Sequence, residues 1–385
     1  MSETRESTQL QWETLLADGL VEMRRAGRFL VVDLLLPHRV LSTSVRHGGQ
    51  VDHVRHLLNH QSCEGTGHHD RHRLMTEGLD AYHDRACAEA ILPPAETAVM
   101  GTAANMNYVA IVKEADQGVT VTAAVTAGVE GNATAAGEPA HWRETETGIE
   151  KVPAYAGTIN TILLINRPLT PGALARVVVT MTEGKSAALQ RLAVPSTRHV
   201  DLATGTGTDQ YCIAAPLSGA SPLTSASPHM KFGELVGFVT RQATMEALRW
   251  QNGLEASYTR GVFHALGRYG VREATFFDDI APFLGESDLD LLKKNAKAVL
   301  FEPLVGAAAH ALATVCDRVR FGTVPDSTAR DAMAQQAAIL AANLATQVNR
   351  WAEFRLRLRA HATGDVKTLV LQALALGWSE KWRNT

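Results

Sequence analysis

The clearest indication of fold in this 385-residue chain is a change of pattern near residue 265. Before it, short runs rich in β-branched residues alternate with Gly, Thr and Asn turns. After it, the chain is rich in Ala and Leu at helical spacing. Strands that follow strands with few helices between them indicate an α+β fold rather than a doubly wound parallel sheet. We therefore expect two domains: residues 1–265, with a mixed or antiparallel sheet core packed against helices, and residues 266–385, an all-helical C-terminal domain.

Several strands are predicted in the first part of the chain. Arg28–Leu36 and Val40–Val45 flank Pro37, which cannot donate to a ladder. Asn107–Lys113 and Val119–Thr126 predict a hairpin that turns at Asp116-Gln117-Gly118. Further short strands are expected at Thr158–Ile165, Val200–Thr204 and Tyr211–Ala215.

The best-signalled helix follows Thr170, an N-cap residue, with Pro171 in its first turn. Apolar residues and one lysine recur at spacings of three and four as far as Leu192, and Pro195 ends the pattern. Further helices are predicted over Phe232–Leu254, over Leu289–Val319 with a kink at Pro303, and over Ser327–Ala362. The apolar stripe of the last helix predicts a bundle core, with a homodimer interface as the alternative.

Composition and charge argue against several classes of protein. Lys and Arg number 37 against 40 Asp and Glu, giving a formal net charge of −3, so we expect no nucleic acid or membrane partner. The four cysteines are widely spaced without a C-x-x-C pair, which suits a reducing compartment. The apolar run Phe29–Leu36 is short against the ~20 residues of a membrane-spanning helix, and residues 1–13 lack the apolar core of a signal peptide. We expect a cytoplasmic protein.

Lys185 is the clearest candidate for a catalytic side chain. It lies on the apolar stripe of the first predicted helix, which directs it toward the core, where burial favours a neutral amine. The alternative is a lysine at the edge of the stripe whose stem reaches solvent. Glu183 lies about 200° around the helix, on a polar face with Arg176 and Gln190. This geometry favours Lys185 over Glu183.

The segment Ala203–Asp209 places two glycines among three threonines between two predicted strands. Glycines let backbone N–H groups approach a ligand, and the hydroxyls with Asp209 supply polar groups. A flexible hairpin loop is the alternative, and the spacing does not match a phosphate-binding P-loop. Amide hydrolysis needs a nucleophile, donors for the oxyanion and a proton for the leaving amine, which this segment and Lys185 can supply together.

Histidines are concentrated between His38 and His83, which hold nine of the fifteen. One group could share a helix face and another lies in a Gly/Asp-rich loop, so both are weak candidates for metal ligands. They are His53, His56 and His60, and His68, His69 and His72. Because no spacing such as H-E-x-x-H is present, a polar surface segment is favoured over a metal site, and no cofactor is expected to be required.

A series of segments, taken in order over residues 38–250, resembles the adenosylcobinamide amidohydrolase family (the CbiZ type). The segments are Val40–Gly49, Asn59-His60, Gly101–Ala104, Val125–Gly128 with Asn132 and Gly137, Gly157–Asn160, Thr182–Leu189, Ala203–Asp209 and Gly233–Gly237. The resemblance implies hydrolysis of the amide that joins aminopropanol to the corrin ring, which yields adenosylcobyric acid for cobalamin salvage. The corrinoid cobalt would then be part of the substrate.

The chain departs from the family pattern at several places. Gly184 stands where alanine is expected, and Gly131 interrupts the run from Gly128 to Asn132. The histidine-rich stretch Cys63–Arg73 and the helical region beyond residue 255 lie outside the pattern. They leave open whether the substrate is a complete corrinoid, a truncated one or a different amide.

From the residues themselves we expect Lys185 and Asp209 at the scissile amide, with Lys185 as base or, once protonated, as donor to the leaving amine. Thr206 or Thr208 would be the nucleophile or a water-orienting group, and Asn160 with loop N–H groups would surround the oxyanion. The candidates are completed by Glu183 for catalysis and, for substrate binding, by Gly48, Gly49, Asn59, His60, Thr126, Gly128, Asn132, Gly157, Thr158, Thr204 and Gly205.

Two alternatives belong to different functional classes. The protein could hydrolyse a non-corrinoid amide with a metal bound at the histidines, which metal analysis and chelators would reveal. It could instead bind a corrinoid without turnover, with one histidine of the cluster ligating cobalt.

Overall fold

The computed structural model describes residues 10–63, 78–140, 142–146, 148–151, 158–362 and 364–383. The predictions for Gly157 and for His68, His69 and His72 lie outside the described residues. The chain divides into two compact units. The first comprises the chain up to Arg198 together with Leu202–Gly253, and the second comprises His199–Asp201 together with the chain from Leu254 onward.

The first sheet of the first unit has five described strands in the order β1-β2-β3-β6-β7. These are β1 (Glu13–Ala17), β2 (Val21–Ala26), β3 (Phe29–Leu34), β6 (His56–Gln61) and β7 (Thr97–Thr102). Strands β6 and β7 are parallel and the other neighbours are antiparallel. Helix α1 (Leu79–Ala90) buries Ala86, Cys87 and Ala90 in a cluster with Val31 and Leu58 of this sheet.

The second sheet has six described strands in the order β5-β4-β15-β13-β9-β8. These are β4 (His38–Ser42), β5 (Gly49–Val51), β8 (Ala110–Asp116), β9 (Val119–Gly128), β13 (Thr158–Ile165) and β15 (Gln210–Pro216). Strands β13 and β15 are parallel, and their neighbours pair antiparallel. Two small ladders join β10 (Ala133–Thr134) to β14 (Gly205–Thr206) and β11 (Trp142–Thr145) to β12 (Gly148–Lys151).

The two sheets pack face to face. One apolar cluster combines residues of the first sheet, such as Leu57 and Met100, with residues of the second, such as Ala124 and Ile162. Helices α2 (Pro171–Arg191) and α3 (Lys231–Asn252) pack on each other, and α3 packs on β8 and β9. The first unit is therefore a sandwich of helix, sheet, sheet and helices, which agrees with the predicted α+β class.

Local sequence signals account for the predicted elements that are present. Thr170 Oγ1 accepts from Ala173 N at 3.2 Å and caps α2, and Pro171 occupies its first turn. Gln117 and Gly118 both have positive φ, as a two-residue hairpin turn between β8 and β9 requires. Strand β13 spans the predicted residues, and all eight are buried because both faces of its sheet are covered. The second predicted helix is confirmed as α3.

The second unit is helical throughout its described part apart from connecting segments. Its helices are α4 (Ala256–Thr259), α5 (Val262–Leu266), α6 (Phe276–Ile280), α7 (Glu286–Leu300), α8 (Pro303–Arg320), α9 (Asp326–Ala345), α10 (Trp351–Arg359) and α11 (Val366–Glu380). Short 3₁₀ turns cover Gly267–Tyr269, Ala281–Phe283 and Val348–Arg350. Alanine-rich faces of α8, α9 and α11 form its core.

Three predicted elements were wrong in extent. The kink predicted at Pro303 within Leu289–Val319 is confirmed, but it separates two helices, α7 and α8, at an angle of 82°, because Pro303 starts a new helix that Glu302 caps through Val305 N. Ser327–Ala362 breaks after α9, where Thr346 has a left-handed φ of 57°. Val200–Thr204 is not a strand; it has a single bridge at Leu202, and the pairing residues are those of β14.

The proposed helix face for His53, His56 and His60 was also wrong, since His56 and His60 lie on β6 and His53 precedes it. Their spacing is compatible with a helix, but the run Leu57–Leu58 between them pairs with β3. Within the residues described, no single helix is long and apolar enough to cross a membrane. Helices α7 and α8 together have the length and apolar composition of a membrane-spanning segment, but the chain bends by 82° between them.

Candidate active site

At one end of the sandwich the apolar layer between the sheets gives way to buried polar side chains. In the second sheet, Asn160 lies opposite Thr126 on one side and Gln210 on the other. Asn59 faces them from the first sheet. Asn59 Nδ2 donates to Thr126 Oγ1 at 2.9 Å, and Asn160 Nδ2 donates to Asn59 Oδ1 at 2.9 Å and to Gly101 O at 3.1 Å. The network therefore joins the two sheets.

Asn160 is fully buried, and its amide group donates to two protein acceptors. In this arrangement it has no N–H left for an oxyanion, so the geometry gives it a supporting position beneath the site. Thr158, at the start of β13, donates from Oγ1 to Thr208 O at 2.6 Å. It thereby ties the strand to the loop 203–209.

The carboxylate of Asp209 is the centre of that loop. It accepts from Ile159 N at 3.0 Å, from Thr206 N at 3.1 Å and from Thr206 Oγ1 at 2.5 Å. Lys185 Nζ forms an ion pair with Oδ2, the same oxygen that accepts from Thr206 N at 3.1 Å, whereas Ile159 N and Thr206 Oγ1 donate to Oδ1. Because a carboxylate offers about four lone-pair sites, these donors occupy it fully. The loop is thus folded around one charged pair, with the Thr206 hydroxyl bound directly to it.

Lys185 reaches this pair from α2 without being deeply buried. The side chains of Lys185 and Asp209 are 16% and 18% exposed, so the pair lies at the protein surface but mostly out of water. A Cβ on Gly205 would stand 2.5 Å from Asp209 Oδ2 and 2.7 Å from Lys185 Nζ. Glycine at this position lets the loop backbone pass over the ion pair. The Gly/Thr pattern is therefore built around Lys185 and Asp209.

Asn132 flanks the same loop from the segment after β9. Its backbone O accepts from Gly207 N at 3.3 Å, and its Nδ2 donates to Thr208 Oγ1 at 3.5 Å. A Cβ on Gly207 would lie 3.0 Å from Asn132 Oδ1. Asn132 therefore lies beside Gly207 and Thr208 of the loop.

The comparison with known families covers the part of the chain that carries this loop. The model of the family described as adenosylcobinamide amidohydrolase matches residues 16–256. The chain belongs to this family. It is also similar to the uncharacterized protein MJ1613 of Methanocaldococcus jannaschii, at 30% identity over 251 residues, which cover 63% of this chain and 92% of the relative. The range matched to the amidohydrolase family contains the second sheet, the first sheet except for the start of β1, and the loop around Asp209.

Gly184, where the amidohydrolase family pattern led us to expect alanine, is explained by helix packing. It is buried where α2 crosses α3, and a Cβ there would lie 2.7 Å from Gly237 O. Its neighbour Lys185 stands at the edge of this contact. Glu183 is exposed on the outer face of α2, as the helix geometry predicted.

Helix α2 also holds the loop through polar side chains. Ser186 Oγ donates to Thr204 O at 3.0 Å, and Gln190 Nε2 donates to Ala203 O at 3.1 Å. Thr204 Oγ1 accepts from Ala136 N at 2.8 Å. The start of the loop is therefore anchored on two sides.

Glu138 is a neighbouring residue that sequence reasoning missed. Its Oε2 accepts from Thr134 Oγ1 at 2.7 Å and from Ser196 Oγ at 2.9 Å, while its Oε1 is buried without a hydrogen-bond partner. Thr134 pairs with Gly205 in the β10–β14 ladder. No sequence spacing signals this carboxylate, because pairing of distant segments brings it to the loop.

Some predicted binding residues lie elsewhere. His60 points to the opposite face of β6 from Asn59, stacks between Phe29 and Tyr82, and is fully buried, which lowers its pKa to about 3. Gly48 ends the turn between β4 and β5, where its Cβ would meet Ser44 O at 2.2 Å, and Gly49 is the first residue of β5. Gly128 ends β9, and the nearest atom to a Cβ there belongs to Gln251.

Two of the histidines proposed as metal ligands, His53 and His56, have side-chain partners in the protein. His53 Nε2 lies 3.0 Å from His47 Nδ1, and His56 Nδ1 lies 2.7 Å from Asp33 Oδ1. Across the described part of the chain, no group of three or more His, Cys, Asp or Glu side chains is arranged to hold a metal ion.

Proposed function

We propose that this protein hydrolyses the amide that joins aminopropanol to the corrin ring of adenosylcobinamide, giving adenosylcobyric acid for cobalamin salvage in the cytoplasm. Membership of the amidohydrolase family supports the reaction class. The observation that carries the proposal is the contact of the Thr206 hydroxyl with Asp209, whose carboxylate is in turn paired with Lys185. A hydroxyl bound to a base that a third group orients is the arrangement of an activated nucleophile.

In the first step, Thr206 Oγ1 attacks the amide carbonyl carbon and its proton passes to Asp209. The C–N bond then breaks, and the leaving nitrogen takes a proton from the Lys185 ammonium, which the ion pair stabilises. Aminopropanol departs as a neutral amine. Transfer of the proton from Asp209 to Lys185 restores the charged pair.

The developing oxyanion needs donors close to the attacking oxygen. Thr208 N donates to Thr206 Oγ1 at 3.4 Å, so this N–H lies beside the attacking oxygen and would have to turn from it to the oxyanion. Asn160, Asn59 and Thr126 form the rigid floor below, and Gly205 and Gly207 allow the loop backbone to approach the carbonyl. Water then hydrolyses the Thr206 ester, which releases the corrinoid acid and regenerates the hydroxyl.

Substitution of the two loop threonines tests this assignment. Thr206→Ala should lower kcat/KM for aminopropanol release by at least about a thousandfold, as loss of a nucleophile does. Thr206→Ser keeps the hydroxyl and should stay within about tenfold of wild type. Thr208→Ala is the matched control, because it leaves the backbone N–H and should also stay within about tenfold.

The structural integrity of each variant is checked by its unfolding transition. If the folded Thr206→Ala variant turns over substrate within about tenfold of the wild-type rate, Thr206 is not the nucleophile.

Lys185→Met should slow amine release with little change in KM, because the proton is needed as the C–N bond breaks. An increase in KM alone would move Lys185 from chemistry to substrate binding.

A further inference from the structure

The second unit has an apolar groove with a volume of about 650 Å³. Its wall includes Val299, Leu344 and Trp378, and its rim carries Leu291, Leu304, Val348 and Trp382. The four rim side chains are 42%, 62%, 60% and 58% exposed in that order. The four side chains therefore leave much of their apolar surface in water, and an exposed apolar patch of about 300–600 Å² is often functional.

The polar groups along the groove have partners within the same unit. Asn343 Nδ2 donates to Leu304 O, Lys381 Nζ donates to Leu344 O at 3.0 Å, and Trp378 Nε1 donates to Asp288 O at 2.8 Å. No convergent set of unmet donors and acceptors among these groups would orient a small polar ligand. Burial of the apolar rim is therefore the main free-energy gain available here.

The charges beside the groove are of opposite sign. Glu302, at the start of α8, uses one carboxylate oxygen to cap Val305 N, and Lys381 follows α11 on the other wall. In a dimer with two-fold symmetry both copies use the same surface, so each contact between two different residues occurs twice, once in each direction. Because one charge of each sign flanks the groove, a two-fold axis that passes between the two walls would set the acid of one copy opposite the base of the other.

We propose that this groove is the contact surface of a homodimer, in which the rim residues Leu304, Val348 and Trp382 of one copy enter the groove of the other. Lys381 of each copy then faces Glu302 of its partner. Trp382 is the expected anchor, since exposed aromatic residues that become buried dominate interface energies. A membrane surface is a poorer occupant, because α7 beside the groove exposes the charged pair Asp290 and Lys294.

The test is the molar mass of the full chain by light scattering and sedimentation over a range of micromolar concentrations. Wild type should be a dimer, and Leu304→Glu should raise its dissociation constant by about 30-fold or more. A glutamate in the first turn of α8 suits the helix dipole, so folding is preserved. The matched control is Leu356→Glu, which places the same charge on α10 outside the groove at a residue that is 74% exposed and should leave the dimer intact.

A charge reversal tests the two-fold arrangement. Lys381→Glu should weaken the dimer, and Lys381→Glu combined with Glu302→Lys should recover it, with unfolding transitions checking that α8 remains capped. A monomeric wild type, a dimer that Leu304→Glu does not weaken, or a double variant that fails to recover overturns the proposal. Monomers that retain a small molecule in native mass spectrometry, or that sediment with phosphatidylcholine–phosphatidylglycerol vesicles, overturn it in favour of those occupants.

Discussion

The crossing of α2 and α3 makes a sharp prediction at Gly184. In a Gly184→Ala variant the new Cβ would stand 2.7 Å from Gly237 O and 3.3 Å from Gly237 Cα. Backbone atoms cannot rotate away, so the helices must separate by several tenths of an ångström. The same shift displaces Lys185, the next residue, from Asp209.

Overpacking of a dense core costs about 1–3 kcal/mol, and replacing glycine by alanine within a helix returns about 0.5–1 kcal/mol. We therefore expect Gly184→Ala to lower the free energy of unfolding by about 1–2 kcal/mol. For a unit of this size, that corresponds to a fall in Tm of about 2–8 °C. Alanine would be neutral or stabilising here if helix propensity alone decided.

Gly237→Ala is the matched control at the same crossing. Its Cβ would meet Thr180 Cγ2 at 3.6 Å, an ordinary contact, so the propensity gain should make it neutral or slightly stabilising. Urea unfolding and thermal melts of both variants give the comparison. Equal stability of Gly184→Ala and Gly237→Ala would refute the packing argument.

Three further predictions concern the first unit. Because burial lowers the pKa of His60 to about 3, below its ordinary 6.5, the unfolded chain binds a proton that the folded chain does not, and stability falls as pH drops from about 6.5 toward 3. His60→Phe keeps the stacking and should lose less stability between pH 7 and pH 5 in urea unfolding; an equal loss would contradict the assignment. Gly205→Ala should abolish turnover by forcing the loop off the Lys185–Asp209 pair, and full activity would show that the loop has room. Asp209→Asn should slow turnover at least about a hundredfold and release the loop, seen as increased amide exchange at Thr206; unchanged exchange would exclude the anchoring role.

Much of the first unit follows from local signals. The Thr170 cap, the hairpin turn at Gln117-Gly118 and the apolar run of β13 depend on a few neighbouring residues, and each predicts its element. The helical spacing also separates the exposed Glu183 from Lys185.

The remaining features depend on contacts between distant segments. The parallel pairing of β13 with β15 places Asn160 beside Gln210, and the facing sheet supplies Asn59. The Asn160 amide therefore has a structural hydrogen bond that the sequence pattern does not reveal. The β10–β14 ladder, which brings Glu138 toward the loop, joins two segments of two residues each. In the second unit, the ends of α9 and α7 depend on backbone conformation at Thr346 and on the cap at Glu302, which a continuous apolar stripe does not reveal.

The most direct test of the proposed hydrolysis is turnover of adenosylcobinamide in ¹⁸O-labelled water, with mass analysis of both products. The proposal predicts equal amounts of aminopropanol and adenosylcobyric acid, with one ¹⁸O in the new carboxylate, and almost none of either from the folded Thr206→Ala variant. A corrinoid that is bound but recovered intact, with no aminopropanol released by wild type, would contradict it.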